Sequence, residues 1–98
     1  MNHRAYKKEL IGVLREAAKD QALFEAFLAD LLTPVEYDEI ARRWQIVKQL
    51  NKKTPQRRIA KDLRVGVATI TRGARELLDQ EGGFMQALKV CQRKPNVC

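Results

Sequence analysis

Tyr6, Leu10, Leu14 and Ala17 with Ala18 recur at three- and four-residue spacing, with charged side chains between them. That period predicts a first amphipathic helix over about residues 4–19. Asp20 is the expected N-cap of a second helix carrying Leu23, Phe24, Phe27, Leu28 and Leu31 on one side. Thr33-Pro34-Val35-Glu36 combines a Thr cap, Pro at the first helical position and Glu three residues after the cap. A third helix follows to about Leu50, with Ile40, Trp44, Val47 and Leu50 or Asn51 along one face. Asn51-Lys52-Lys53 breaks the pattern, and Thr54-Pro55 is expected to start a fourth helix, by the same cap-then-proline device, ending near Leu63. Gly66 opens a fifth over about residues 67–80, and Gly82-Gly83 stops it. Phe84, Met85, Leu88 and Cys91 suggest a short sixth, with a loose segment after Pro95. No period-two alternation bounded by turns appears, so the expected fold class is all-α with about six helices.

Charge changes this picture by singling out one stretch. The chain has 98 residues and a net charge of +7. From Arg42 to Arg75 there are eleven Lys and Arg residues and one acid, Asp62. Before Arg42 there are five basic and eight acidic residues, and after Arg75 three of each. The whole surplus lies in the central third, which points to a polyanion partner.

The segment 56–75, QRRIAKDLRVGVATITRGAR, reads as a helix-turn-helix. Two short helices crossing steeply share a very small core, so apolar residues must fall at set places, with a small one at the close approach. Counting from Gln56, Ile59, Ala60, Leu63, Val65 and Ile70 occupy the fourth, fifth, eighth, tenth and fifteenth places, matching the usual pattern. One position departs from it. The turn usually has glycine directly after the Leu, where φ is positive. Arg64 stands there and costs on the order of 1 kcal/mol if that backbone is kept; alternatively, Gly66 shifts the turn. On the second helix, Val67, Ala68, Thr69 and Thr71 suit base edges of a DNA major groove. Gln56, Arg57, Lys61 and Arg64 are placed to meet phosphates, and Arg57 alternatively reads a guanine edge.

Other chemistry is sparse. The chain has no serine, and its one histidine, His3, falls in an expected frayed terminus, so no nucleophile–base pair assembles and an enzyme is not expected. Cys91 and Cys98 match no metal or redox spacing and are expected to be reduced, incidental thiols. No apolar run approaches the roughly 20 residues of a membrane span and no secretory h-region opens the chain, so a cytoplasmic protein with no metal and no membrane partner is expected. A chain this small often gains core by dimerising.

Three motifs carry a family resemblance. LTP-x-E at 32–36, RR-x-x-IV at 42–47 and QR…L…G-x-ATITRG at 56–73 resemble the bacterial tryptophan operon repressor family, over about residues 31–77. The resemblance implies an interlaced homodimer, one domain over residues 1–98, with dimerisation helices in 1–51, the helix-turn-helix in 54–80 and a short helix in 83–93. It also implies an aromatic amino acid, L-tryptophan or a relative, as corepressor and no other cofactor. The matching positions give Arg43 and Arg72 as the pair enclosing the ring, Thr33 as the residue closing the pocket, and Gly73 against the ring. Guanidinium planes stack on aromatic faces and bond carboxylate, which suits this task. Where the family has a small hydroxyl residue this chain has Glu76, which either holds the ligand ammonium or pairs with Arg72 and fills the pocket. Tryptophan, tyrosine, phenylalanine and no ligand all remain open.

The expected function is a dimeric repressor binding double-stranded operator DNA with an aromatic amino acid as effector. The alternative is an effector-independent DNA-binding module of a regulator or mobile-element protein, which Glu76 favours. A purely structural dimerisation domain leaves the basic segment without purpose.

Overall fold

The computed structural model describes residues 2–98 and is all-helical: α1 (His3–Ala17), α2 (Gln21–Leu31), α3 (Pro34–Asn51), α4 (Gln56–Leu63), α5 (Val67–Leu77), α6 (Gly83–Arg93) and one 3₁₀ turn (Pro95–Val97). No strand occurs among the described residues. The chain divides into two compact units, Met1–Glu39 and Ile40–Cys98, with the boundary inside α3.

In the first unit every helix start is held by a side chain. Asn2 Oδ1 accepts from the Ala5 N–H at 2.9 Å, so His3 opens a capped helix and is not frayed. Asp20 caps α2 as expected, its carboxylate accepting from Ala22 and Leu23 N–H at 3.1 and 3.4 Å. At α3 the full capping box forms: Thr33 Oγ1 accepts from the Glu36 N–H at 3.1 Å, and the Thr33 N–H donates to Glu36 Oε1 at 2.8 Å. Those bonds from Thr33, the backbone one first, hold the Glu36 carboxyl below its ordinary value of 4.5.

A depressed carboxyl contributes stability above its unfolded value and loses it as pH falls through the folded one. Glu36→Gln is therefore expected to lie below wild type in stability at about pH 6, with the two converging on acidification below 4.5. Urea midpoints across that range check this; a pH-independent gap would refute it.

Burial in this unit is slight. Ala17 alone is buried, while Tyr6, Ile11, Leu23 and Val35 are 48, 62, 54 and 66% exposed. α1 and α2 pack on one another and leave much of their apolar surface in solvent.

The second unit has the tighter core. Ile46 of α3, Ile59 of α4 and Ile70 of α5 form a fully buried cluster, flanked by Leu50, Ala60, Leu63 and Val65. The expected face of α3 is only partly right. Val47 is buried, but Trp44 is half-buried and Ile40 is 48% exposed, whereas Ile46 is the residue the cluster closes on.

Two turns bracket α4 and are built alike. At the end of α3, Lys53 has φ 65°, the Lys53 N–H donates to the Leu50 carbonyl at 3.0 Å and the Thr54 N–H to the Gln49 carbonyl at 3.1 Å. At the end of α4, Arg64 has φ 55° and ψ 48°, its N–H donates to the Ala60 carbonyl, and so does the Val65 N–H, at 3.1 Å. Both are left-handed caps closed by a six-to-one bond. The turn therefore keeps the positive-φ backbone at Arg64, and Gly66, with φ −73° in extended backbone, does not relocate it. Arg64→Gly is expected to raise unfolding free energy by about 1 kcal/mol, because glycine adopts this backbone without a Cβ penalty. Denaturant unfolding checks it.

Several sequence expectations shift here. Pro55, with ψ 140°, is the cap residue of α4 and lies outside the helix; Thr54 does not cap α4 but donates its hydroxyl to Gln49 Oε1 at 3.0 Å, fastening the end of α3. α5 ends at Leu77, three residues early, because Asp79 folds the chain over by accepting from the Glu81 N–H at 3.0 Å. Gly82 is the cap of α6 as much as a stop for α5. The segment after Lys94 is a 3₁₀ turn packed on α6, and Cys91 and Cys98, 5.6 Å apart at Cα, form a disulfide where free thiols were expected. The single turn after α6 folds the chain back far enough to bring them together.

Candidate nucleic-acid interface

α4 and α5 each bury one side and present the other. On α5, Ile70 and Gly73 are buried and Ala74 and Leu77 half-buried, a three- and four-residue spacing that defines the inward face. Val67, Ala68, Thr69, Thr71 and Arg72 are consequently exposed, Val67 by 53%. On α4, Ile59 points inward, and Gln56, Arg57, Lys61 and the following Arg64 lie in solvent. All eight residues expected to meet DNA are exposed within one unit.

The electrostatics of this surface are simple. Asp62, the only acid among residues 42–75, lies 3.6 Å from Arg58, with both side chains largely exposed. Such a pair contributes little to stability. Its effect is on charge distribution: the acid is beside a residue outside the expected DNA set, and Arg57, Lys61 and Arg64 make no ion pair among the described residues. Thr71 Oγ1 donates to the Val67 carbonyl at 3.0 Å. Its proton is committed to its own helix, so toward solvent it offers a methyl group and acceptor lone pairs.

The residues expected to hold a ligand are distributed less evenly. Thr33 belongs to the first unit, where its hydroxyl serves as a helix cap. Arg43, Arg72, Gly73 and Glu76 are all in the second, Arg43 one helical turn before Ile46. Gly73 is where α5 meets α3: a Cβ added there would stand 3.2 Å from Ile46 Cγ2 and 3.5 Å from Leu50 Cδ1. That contact explains the glycine without a ligand. Arg72 and Glu76 are both exposed and make no ion pair within 4.0 Å, so Glu76 does not neutralise Arg72 in this conformation. A cleft of about 230 Å³ in the same unit is lined by Lys48, Lys52, Leu88 and Gln92 among others, and by none of the four ligand candidates.

Two residues escaped the sequence reading. Ile46 lies one place off the expected stripe of α3, and only its packing against Ile59 of α4 and Ile70 of α5 identifies it. Lys53 read as part of a break, and nothing in a lysine announces positive φ.

No helix among the described residues is long and apolar enough to cross a membrane, and no cluster of potential metal-holding side chains occurs among them. The family model for the Trp repressor protein matches residues 8–92. The Trp operon repressor homolog of Mannheimia succiniciproducens is 50% identical over 82 residues, covering 83% of this chain and 77% of its own length. That of Actinobacillus succinogenes is 44% identical over 80 residues, 81% of this chain and 78% of its own. For Haemophilus influenzae strain PittEE the figures are 44% over 66 residues, 66% and 65%, so the chain spans about two thirds of that relative's length. No solved structure matches. With six helices in this order and a family match running from α1 into α6, the chain belongs to the Trp repressor protein family.

Proposed function

We propose that the protein is a transcriptional repressor that binds operator DNA through α4 and α5 as a homodimer, acting in the cytoplasm. The observation that carries this reading is the outer face of α5: Val67, Ala68, Thr69 and Thr71 exposed at its first turns, beside a basic surface whose one acid is already paired. Short methyl- and hydroxyl-bearing side chains approach base edges closely, and Gln56, Arg57, Lys61 and Arg64 position the phosphates. The homodimer is supported by the first unit, whose exposed Tyr6, Ile11, Leu23 and Val35 lack the burial a stable helical pair needs. Two reading heads then lie about one DNA turn, roughly 34 Å, apart.

The effector in this reading is a small aromatic amino acid, tryptophan or a relative. Arg43 and Arg72 sandwich its ring and bind its carboxylate, Gly73 gives the ring room, and Glu76 receives the ammonium. The unpaired state of Arg72 and Glu76 supports this, since each charge is free for an opposite group on a zwitterion. A second reading, repression without an effector, is favoured by Ile46 and Leu50, whose side chains stand within 3.2 and 3.5 Å of where a Cβ on Gly73 would lie and so occupy the space beside the glycine.

Calorimetric titration of tryptophan, tyrosine and phenylalanine into the protein, alone and with DNA, separates the two. Binding energies are linked, so an effector that tightens DNA binding must itself bind tighter in the presence of DNA by the same factor. Absence of heat for all three, with DNA binding intact, selects the effector-independent reading.

A further inference from the structure

Two residues other than glycine have positive φ among the described residues, Lys53 at 65° and Arg64 at 55°, and none of the glycines does. Both are left-handed residues closing a helix end, Lys53 two residues past α3 and Arg64 one past α4, where glycine is the least strained choice and asparagine the next. Both are long, basic and exposed, and neither makes an ion pair among the described residues. The left-handed backbone closes both helix ends, which glycine would do at lower cost, and neither basic side chain makes an ion pair that would explain its choice. A repeated local cost of one kind, restricted to one charge type, points to function at those positions.

We propose that Lys53 and Arg64 form a phosphate-gripping pair at the two ends of α4, retained for the charge they carry despite the backbone cost. The pair rests on the DNA-binding reading and extends it to Lys53. α4 has eight residues and so is about 12 Å long. Lys53 precedes the helix by three residues and Arg64 follows it directly, so the whole of α4 lies between the two charges and each meets its own phosphate. Lys53 lies in the turn after α3 and Arg64 in the turn after α4, so both charges stand outside the helix that carries Gln56, Arg57 and Lys61. Arg58 is held near Asp62 on α4 itself, which leaves the two turns as added positions of uncompensated charge.

The test sets stability against binding. Lys53→Gly, Arg64→Gly, the double variant and Arg64→Asn are compared with wild type on a random-sequence 30-base-pair duplex over a salt series. Each glycine variant is expected to unfold at higher denaturant than wild type and to bind roughly 5–10-fold more weakly at 0.1 M salt. The slope of log K against log salt should fall by about 0.9 per charge removed, and by about twice that in the double variant. Arg64→Asn, which tolerates the backbone but lacks the charge, should lose the same slope as Arg64→Gly. Glycine variants that gain stability and keep the wild-type slope overturn the pair. A wild type with no affinity for the duplex at low salt removes the pair together with the DNA reading, whereas binding with unchanged slopes removes the pair alone.

Discussion

Ile70→Ala is expected to cost about 2–5 kcal/mol of unfolding free energy, the largest loss of any single truncation in the chain. Ile70 is fully buried at the point where α3, α4 and α5 converge, against Ile46 and Ile59, which are 1% exposed each. Removing three carbons there leaves a cavity walled by residues from three different helices, and α4, with eight residues, is too short to hold itself together while the walls adjust. A chain of this size has roughly 5–15 kcal/mol in total, so the loss is a large share of it. Urea unfolding at fixed protein concentration measures it. A loss below about 1 kcal/mol would mean that the three-isoleucine cluster is not the core of the helix-turn-helix.

Ala68→Asp is expected to abolish DNA binding while leaving the fold intact or slightly firmer. Ala68 is exposed at the second position of α5, and nothing in the unit packs over it. A carboxylate in the first helical turn interacts favourably with the helix dipole, by about 0.3–1 kcal/mol, and α5 has no acid there. Against DNA the same charge faces phosphates and base acceptors. Like-charge juxtaposition costs several kcal/mol, which corresponds to roughly 100-fold or more in affinity. The opposite signs make the test decisive: stability by denaturation and affinity by fluorescence anisotropy should move apart. Affinity within a few-fold of wild type would remove α5 from the interface.

The helix-turn-helix was legible from Gln56 onward because its constraints are local. Ile59, Ala60, Leu63, Val65 and Ile70 sit at spacings that only a short helix, a turn and a second helix satisfy together, and these residues form or flank the buried cluster. The start signals at Asp20 and Thr33 were equally readable, since a cap is a hydrogen bond between residues two or three apart. Thr54-Pro55 misled by the same logic. The pair resembles Thr33-Pro34, but the left-handed Lys53 turns the chain before it, so Thr54 finds Gln49 behind it and not an N–H ahead. Cys91 and Cys98 were read as incidental because pairing at seven residues' separation depends on how the chain folds back after α6, which residue types do not encode.

For the proposed ligand site the division is sharper. Arg43, Arg72, Gly73 and Glu76 were named by resemblance, and the second unit brings α3 and α5 together at Gly73. Glu76 posed a question the sequence left open, since a carboxylate four residues from an arginine on a helix either pairs with it or does not. In the folded chain the two stay unpaired.

The sequence by itself determined the helical class, the position of the helix-turn-helix, its charge and the faces of α4 and α5, because these follow from spacing within one or two turns and from which side chains ionise. Only the folded structure decided that Arg64 and Lys53 hold left-handed turns, that Ile46 closes the core, that a Cβ at Gly73 would crowd Ile46 and that the two cysteines meet. The contacts of Ile46 and of the Gly73 position depend on where α3 comes to rest against α4 and α5, and the caps and the disulfide on how the backbone turns past each helix end; hydrophobic periodicity carries no record of either.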